Sequence, residues 1–180
     1  MTNLPNLLTV LRLVLVPVMA VCLWFGVYRV AAIVFLAAAL SDFADGYIAR
    51  RYAIVSRLGA FLDPIADKLN MFIATALLAW QGFVPLWLAA AIIGRDVLIV
   101  AGVIVWRHMR GEITIKPTYL SKLNTVLEFS MLVLVMAVAA GWIVAGAWLP
   151  VLFVIVLATV VASCAQYFWI WRTAVFGSRR

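Results

Sequence analysis

The sequence predicts an all-α integral membrane protein of six transmembrane helices, preceded by a short N-terminal segment at the membrane interface. Of the 180 residues 68% are hydrophobic, only 12% are charged, and apolar runs alternate with short polar connections. A soluble domain of this size cannot bury so much apolar surface. Each run approaches the roughly 20 residues that cross a bilayer as a helix. We therefore expect one membrane domain over residues 1–180.

The breaks between apolar runs give the order of the elements. The first run becomes apolar after Thr9, and the residues before it are expected to lie along the membrane surface. Further spans are predicted at about 30–50, 56–80, 86–106, 120–140 and 148–171. The longest polar segment follows the fourth span, whereas the connections around Gly82 and Gly141 carry no charge.

The formal net charge of +7 arises from scattered basic residues rather than from a basic run, so we expect no nucleic-acid partner. Arg29 is the only basic residue clearly on one side of the predicted helices, whereas ten basic residues belong to the other side. Positively charged loops face the cytoplasm. We therefore expect a protein of the inner or cytoplasmic membrane with both termini cytoplasmic. The basic residues of that side are Arg50, Arg51, Arg57, Arg107, Arg110, Lys116, Lys122, Arg172, Arg179 and Arg180.

Four of the seven acidic residues lie in one stretch, from Asp42 to Asp67, beside apolar runs. Charges in such places are costly in a bilayer and usually mark function. Residues at offsets 0, 3, 4, 7 and 8 from Asp42 share one face of the first predicted helix of this stretch. Residues spaced by four share one face of the helix that follows. Because the turn folds the second helix back on the first, their carboxylates can converge, and they repel one another unless cations lie between them. The first face carries Asp42, Asp45, Gly46, Ala49 and Arg50, and the second carries Gly59, Asp63 and Asp67.

These side chains have the chemistry of a metal–diphosphate site. Carboxylate oxygens select magnesium, calcium or manganese, and magnesium often completes its coordination with substrate phosphates. The small residues Gly46, Ala49 and Gly59 leave room for a ligand beside the backbone. Arg50 adds a planar cationic group suited to phosphate. The stretch therefore predicts such a site at the cytoplasmic surface of the membrane.

The spacing D-x2-D-G-x2-A-R-x8-G-x3-D-x3-D resembles, at every fixed position, the signature of the CDP-alcohol phosphatidyltransferases. The resemblance implies a transferase that moves a phosphatidyl group from CDP-diacylglycerol to an alcohol and releases CMP. It also implies two divalent ions, Mg2+ or Mn2+, and a homodimer. Small residues such as Gly141 and Ala145 favour helix packing in such a dimer.

Residue roles follow from the same resemblance. Asp67 corresponds to the general base and is also a candidate metal ligand. Ser56 stands where a hydroxyl often lies near the nucleotide, and a helix N-cap is the alternative. Asn6 and Thr9 belong to a segment similar to the family's N-terminal element beside the nucleotide. The remaining metal ligands implied are Asp42, Asp45 and Asp63. The remaining residues implied at the CDP group are Gly46, Ala49, Arg50 and Gly59.

Basic residues inside or at the ends of spans are candidates for binding an anionic acceptor. They are Arg12, Arg95 and Lys122. The alternatives are snorkelling to the interface, or an ion pair such as Arg95 with Asp96.

The segments GRDVLIV and KPTYLSKLNT resemble the CMP-forming cardiolipin synthases, which implies phosphatidylglycerol as acceptor. Relatives that use glycerol 3-phosphate more often resemble R-E and G-K-x-K-T there, so glycerol 3-phosphate is the alternative acceptor. Glu128 departs from the cardiolipin synthase branch, which usually carries Gln at that position.

Two other classes of protein use carboxylates in membranes. A cation transporter does not need Gly46, Ala49, Arg50 and Gly59 at these spacings. Membrane prenyltransferases resemble longer bundles with two D-x3-D motifs, whereas the first pair here is D-x2-D. CMP release from CDP-diacylglycerol distinguishes the transferase from both.

Overall fold

The computed structural model describes the backbone of residues 3–52, 57–110 and 118–176, and side chains over 14–41, 68–102 and 118–172. The described chain forms six α-helices and falls into two compact units. The helices are α1 (Asn3–Trp24), α2 (Tyr28–Tyr52), α3 (Arg57–Trp80), α4 (Leu86–Arg110), α5 (Tyr119–Ala139) and α6 (Trp148–Phe176).

The N-terminal segment is continuous with the first helix, because α1 begins at Asn3 and continues through Pro17 to Trp24. Its location at the membrane interface stays a prediction. Pro5 lies within the first turn, where backbone N–H groups have no intrahelical acceptor, so a proline there costs no hydrogen bond. The residues before Thr9 are therefore the first turns of α1.

The first unit consists of Met1–Val84 together with Leu132–Val144. Within it α1 packs against both α2 and α3. Its core contains large side chains that are almost completely buried: Met19, Leu23, Phe35, Leu78 and Met136.

Three helices of this unit end in the same way. α1, α3 and α5 are each followed by a glycine with positive φ: Gly26 at 74°, Gly82 at 82° and Gly141 at 72°. At Gly26 the glycine N–H bonds to Leu23 O at 3.0 Å, and the next N–H bonds to Cys22 O at 2.8 Å. This pair of bonds is the Schellman motif, which needs a left-handed residue and therefore favours glycine.

Contacts near these turns join elements that are distant in sequence. Tyr28 and Phe83 meet edge to face with ring centroids 5.1 Å apart, and the Gln81 amide donates a hydrogen bond to Leu23 O. Arg29 Nε donates to Ala140 O at 3.1 Å. The uncharged turns and the Arg29 turn therefore lie together within the first unit, as an up-and-down order of helices requires.

The second unit consists of Pro85–Met131 and Ala145–Arg180, and α4 packs against α6 within it. α5 contributes its first part to this unit and its last part to the first unit. Gly102 of α4 lies directly against the indole of Trp171 of α6. The absence of a side chain at Gly102 is what lets the two helices approach there.

Two described helical stretches are long and apolar enough to cross a membrane, Tyr119–Ala139 and Trp148–Arg172. Shorter apolar stretches lie in α1, α2 and α3: Val14–Trp24, Tyr28–Ser41 and Lys68–Trp80. Gly141 and Ala145 fall in the connection between α5 and α6. They therefore lend no support to a homodimer through helix packing, which corrects that part of the argument.

Candidate functional site

The acidic stretch is divided between the end of α2 and the beginning of α3. The backbone is helical at all eight motif positions, as the spacing predicted. Asp42 and Asp45 are therefore three residues apart on one helix, and Asp63 and Asp67 are four apart on the other. Residues at these separations are neighbours on a helix surface, so each pair shares a face.

The side chains of the stretch lie outside the described residues. The same holds for Arg12, Asn6 and Thr9 in α1, and Ser56 falls in a segment that the structure does not describe. Among the side chains that are described, no group of three or more His, Cys, Asp or Glu residues is clustered as for a metal. The acidic stretch therefore remains the candidate metal site. Paired aspartates on consecutive helices supply carboxylate oxygens, the ligands that a hard divalent cation prefers.

α3 adds a buried polar residue that sequence reasoning missed. Asn70 lies three residues beyond Asp67 and therefore on the same face of α3. It is 4% exposed, and its Oδ1 accepts no hydrogen bond from the described residues. A polar residue one turn beyond the last motif position, inside an apolar run, was the available signal.

The second unit contains a polar cluster around Arg95, which is only 3% exposed. Arg95 Nη1 lies 2.6 Å from Asp96 Oδ1, and Nη2 donates to Ser121 Oγ at 2.5 Å. Nε and Nη2 lie 3.3 and 3.0 Å from Ser163 Oγ. The guanidinium thus contacts side chains of α4, α5 and α6.

The ion pair with Asp96 is one of the predicted alternatives to acceptor binding by Arg95, and the structure contains it. A buried cation needs such a partner, because removing an unpaired charge from water is very costly. Four of the five N–H groups of a guanidinium can be assigned to these contacts, which leaves one hydrogen on Nη1 for a further acceptor. The ion pair with Asp96 and the binding of an acceptor phosphate are therefore compatible.

A second buried contact lies one helical turn from the first. Thr159 Oγ1 of α6 lies 2.9 Å from Asn124 Oδ1 of α5 and 2.9 Å from Val156 O. Asn124 is completely buried, and its Nδ2 has no acceptor in the part of the chain that the structure describes. Ser121 precedes Asn124 by three residues and Thr159 precedes Ser163 by four, so each pair shares a helix face. We call Arg95, Ser121, Asn124, Thr159 and Ser163 the polar seam.

Sequence reasoning predicted Arg95 but missed the contribution of α6. Thr159, Ser163 and Gln166 recur at intervals of four and three in the otherwise apolar part of α6, residues 148–171. That periodic polar stripe was the signal. Glu128 is also buried, at 4% exposure, on the same face of α5 as Asn124.

Lys122 has a different environment from Arg95. It is exposed, and its Nζ lies 5.9 Å from the centre of the Tyr119 ring. It does not belong to the seam contacts of the described residues. An exposed cation over an aromatic ring at the start of α5 fits the interfacial alternative as well as a role in acceptor binding.

Within the described residues there are six helices, two of them apolar and long enough to cross a membrane, and four aspartate positions lie on the consecutive helices α2 and α3. This arrangement is typical of a helical membrane protein with a polar site. Comparison with known families agrees, because the profile of the CDP-alcohol phosphatidyltransferases matches residues 2–177. The chain belongs to this family of transferases.

Individual relatives fall into two groups. A cardiolipin synthase (CMP-forming)/mitochondrial hydrolase fusion protein of Schizosaccharomyces pombe is 38% identical over 92% of this chain and 30% of its own length. The cardiolipin synthase (CMP-forming) of Rattus norvegicus is 31% identical over 96% of this chain and 63% of its own length. A CDP-diacylglycerol–glycerol-3-phosphate 3-phosphatidyltransferase of Pseudomonas fluorescens is 45% identical over 55% of this chain and 53% of its own length. The chain thus spans from less than a third to less than two thirds of these relatives.

Proposed function

We propose that this protein transfers the phosphatidyl group of CDP-diacylglycerol to an anionic alcohol and releases CMP. The observation that carries the proposal is the eight-residue motif on α2 and α3 of a chain that the family profile matches over residues 2–177. In the reaction, the acceptor hydroxyl oxygen forms a bond to phosphorus while the bond between that phosphorus and the CMP oxygen breaks. CMP departs with the electron pair, and the hydroxyl proton goes to a base.

The motif residues divide these tasks. Asp42, Asp45 and Asp63, with Asp67 as a further ligand, would hold two divalent ions, Mg2+ or Mn2+, that neutralise charge on the diphosphate. Asp67 would take the proton of the attacking hydroxyl. The residues proposed to surround the CDP group are Gly46, Ala49, Arg50, Gly59, Ser56, Asn6 and Thr9.

The acceptor that the comparisons favour is phosphatidylglycerol, which would make the product cardiolipin. The cardiolipin synthases align with more than nine tenths of this chain, whereas the glycerol-3-phosphate enzyme of Pseudomonas fluorescens aligns with 55%. Glycerol 3-phosphate remains the second candidate, since that shorter alignment has the higher identity, 45%. Arg95, Lys122 and Arg12 are the proposed partners of the acceptor phosphate.

The proposed setting is a membrane domain over residues 1–180 in which all six helices span the bilayer. We propose that both termini and the active site lie on the cytoplasmic side, which the basic residues of the predicted loops support. We further propose a homodimer on the basis of family membership. A cation transporter is the alternative from another class, and it predicts no nucleotide product.

The decisive assay gives purified protein CDP-diacylglycerol with each acceptor separately, follows CMP release and identifies the lipid by mass. Cardiolipin as the main product supports the proposal. Phosphatidylglycerophosphate alone would make glycerol 3-phosphate the acceptor. No CMP with either acceptor in the presence of Mg2+ or Mn2+ would reject the transferase.

A further inference from the structure

Arg29 lies at the start of α2 and is held in place by the end of α5. Its Nε donates a hydrogen bond to Ala140 O at 3.1 Å, and Ala140 is itself buried. Carbonyl groups at a helix C-terminus carry partial negative charge, so a cation is favourable there. This contact uses one of the five N–H donors of the guanidinium. Since Arg29 makes no other polar contact with the described residues, both of its Nη groups remain for a further acceptor.

An open cavity of about 370 Å³ lies against this arginine, and we call it the Arg29 pocket. It is lined by two short segments of the first unit, Gly26–Arg29 and Ala139–Ala140. The Tyr28 hydroxyl lies beside Gly26, 3.8 Å from the point where a Cβ of that residue would stand. This hydroxyl has no hydrogen-bond partner among the described residues. The pocket therefore combines a fixed guanidinium and a free hydroxyl with small apolar side chains.

No acidic residue of the neighbouring turns balances the charge of Arg29. The connections 25–27, 81–85 and 140–147 contain neither Asp nor Glu. The planar guanidinium matches two oxygens of a phosphate group, and a tyrosine hydroxyl can donate to a third. The pocket therefore suits a singly charged phosphate diester, which neutralises Arg29. A zwitterionic head group would add an ammonium, for which the residues of the pocket offer no carboxylate.

The position of the pocket along the helices favours a lipid over a free anion. α5 is apolar and long enough to cross a membrane, and it ends at Ala139 beside the pocket. The exposed indoles of Trp24 and Trp142 belong to residues two positions from Gly26 and Ala140. Tryptophan is enriched at the level of the lipid head groups, where the phosphate of a phospholipid also lies. The apolar part of the pocket would then contact the glycerol and the first methylene groups.

We propose that the Arg29 pocket binds the phosphate of an anionic glycerophospholipid. Both Nη groups of Arg29 and the Tyr28 hydroxyl donate to the phosphate oxygens. The lipid contacts the start of α2 and the end of α5 together, so its binding stabilises the folded first unit. In the proposed orientation this site lies in the leaflet opposite the active site, which makes it distinct from the sites of both substrates.

The probe is phosphatidylmethanol, an anionic diester whose head group has no hydroxyl and therefore cannot serve as an acceptor. Thermal unfolding in neutral detergent measures its binding, because a ligand of the folded state raises the melting temperature. Arg29→Gln keeps a donor for Ala140 O but removes the charge. The lipid concentration for half of the rise should increase about tenfold or more in this variant, the effect of a hydrogen bond to a charged group. Tyr28→Phe keeps the ring contact with Phe83 and should increase that concentration about two- to tenfold.

Arg172→Gln is the matched control, because it removes an exposed positive charge that lies outside the pocket. This variant should respond to phosphatidylmethanol as the wild type does. In the wild type, phosphatidylcholine and inorganic phosphate at the same concentrations should each raise the melting temperature less than phosphatidylmethanol does. Should Arg29→Gln fail to fold, Tyr28→Phe and the comparison of the three ligands still decide.

Three results would overturn the inference. They are an unchanged response in Arg29→Gln, an equal loss of response in Arg172→Gln, and an equal effect of phosphatidylcholine or inorganic phosphate on the wild type. An equal effect of inorganic phosphate would mean that a free anion is the ligand. Thermal unfolding needs no turnover, so each of these results leaves the proposed transferase, which CMP release tests, unaffected.

Discussion

Arg95 and Ser163 are 68 residues apart, yet Arg95 Nε and Nη2 lie 3.3 and 3.0 Å from Ser163 Oγ. The contact joins α4 to α6 at a point where both side chains are buried. A buried arginine is retained only where its donors are satisfied or where its charge is used. Arg95 meets the first condition through Asp96 and two serines, so its use for substrate has to be separated from its structural contribution.

Replacing Arg95 with Lys separates a role in substrate binding from the structural contribution of Arg95. Lysine keeps the charge but lacks the planar fork, so it cannot reproduce the contacts to Ser121 and Ser163 together. If Arg95 also binds the acceptor phosphate, the acceptor KM should rise about tenfold or more, the effect of a hydrogen bond to a charged group. The KM of CDP-diacylglycerol should not change, and steady-state kinetics with each substrate varied gives both constants.

Arg172→Lys is the matched control for this exchange, because Arg172 is exposed and lies 5.8 Å from the centre of the Trp169 ring. Both of its KM values should remain those of the wild type. A lower melting temperature for Arg95→Lys with no change in acceptor KM would assign Arg95 a purely structural role.

The carboxylates on α2 and α3 predict a requirement for divalent metal. Asp42→Asn, Asp45→Asn and Asp63→Asn each keep the shape of the side chain but remove ligand charge. CMP release should collapse in each variant, and added Mg2+ should restore little. Glu112→Gln, an acidic residue outside the motif, should retain activity. Near-normal turnover of the wild type in EDTA would contradict the metal assignment.

Asp67 is expected to affect chemistry more than binding. It is the last carboxylate of the α3 stripe, and loss of a general base typically lowers the rate by about 10²–10⁴-fold. Asp67→Asn should therefore lower kcat by that order while retaining the affinity for CDP-diacylglycerol, measured by equilibrium binding. Equal losses in binding and rate would make Asp67 chiefly a metal ligand.

Apolar runs predict where helices cross hydrocarbon but not where helices end. α4 begins at Leu86 as predicted but continues to Arg110 rather than ending near residue 106. Backbone hydrogen bonds persist after the side chains become polar, so the basic residues after Trp106 extend the helix.

The Asn124–Thr159 contact could not be predicted, since it joins residues 35 apart and depends on how α5 and α6 pack. The roles within the acidic motif remain predictions, because its side chains lie outside the described residues.

The predicted orientation can be tested at the two ends of α5. This helix of 21 residues is about 30 Å long, enough to cross the hydrocarbon layer. Tyr119 at its start is 91% exposed, and Val144 beyond its end is 86% exposed. After Cys22 and Cys164 are replaced by alanine, a membrane-impermeant thiol reagent should label Tyr119→Cys only in inside-out vesicles and Val144→Cys only in right-side-out vesicles. The reverse pattern would invert the orientation, and labelling of both from one side would exclude a crossing by α5.

α4 packs closely on α6 at Gly102, so adding a side chain at that position is expected to destabilise the protein. A Cβ on Gly102 would lie 1.9 Å from the Cη2 and Cζ2 atoms of Trp171, far inside contact distance. Gly102→Ala should therefore force the helices or the indole to shift and destabilise the protein by about 1–3 kcal/mol, the usual cost of overpacking. Gly94→Ala is the matched control on the same helix, because a Cβ there meets no atom within 4 Å. Alanine favours a helix more than glycine does, so Gly94→Ala should be neutral or stabilising.

Thermal unfolding in detergent measures the stability of the Gly102→Ala and Gly94→Ala variants. Adding Trp171→Leu to Gly102→Ala should restore most of the lost stability, because it removes the indole ring. Equal melting temperatures for Gly102→Ala and Gly94→Ala would show that the close approach of α4 and α6 at Gly102 does not exist in solution.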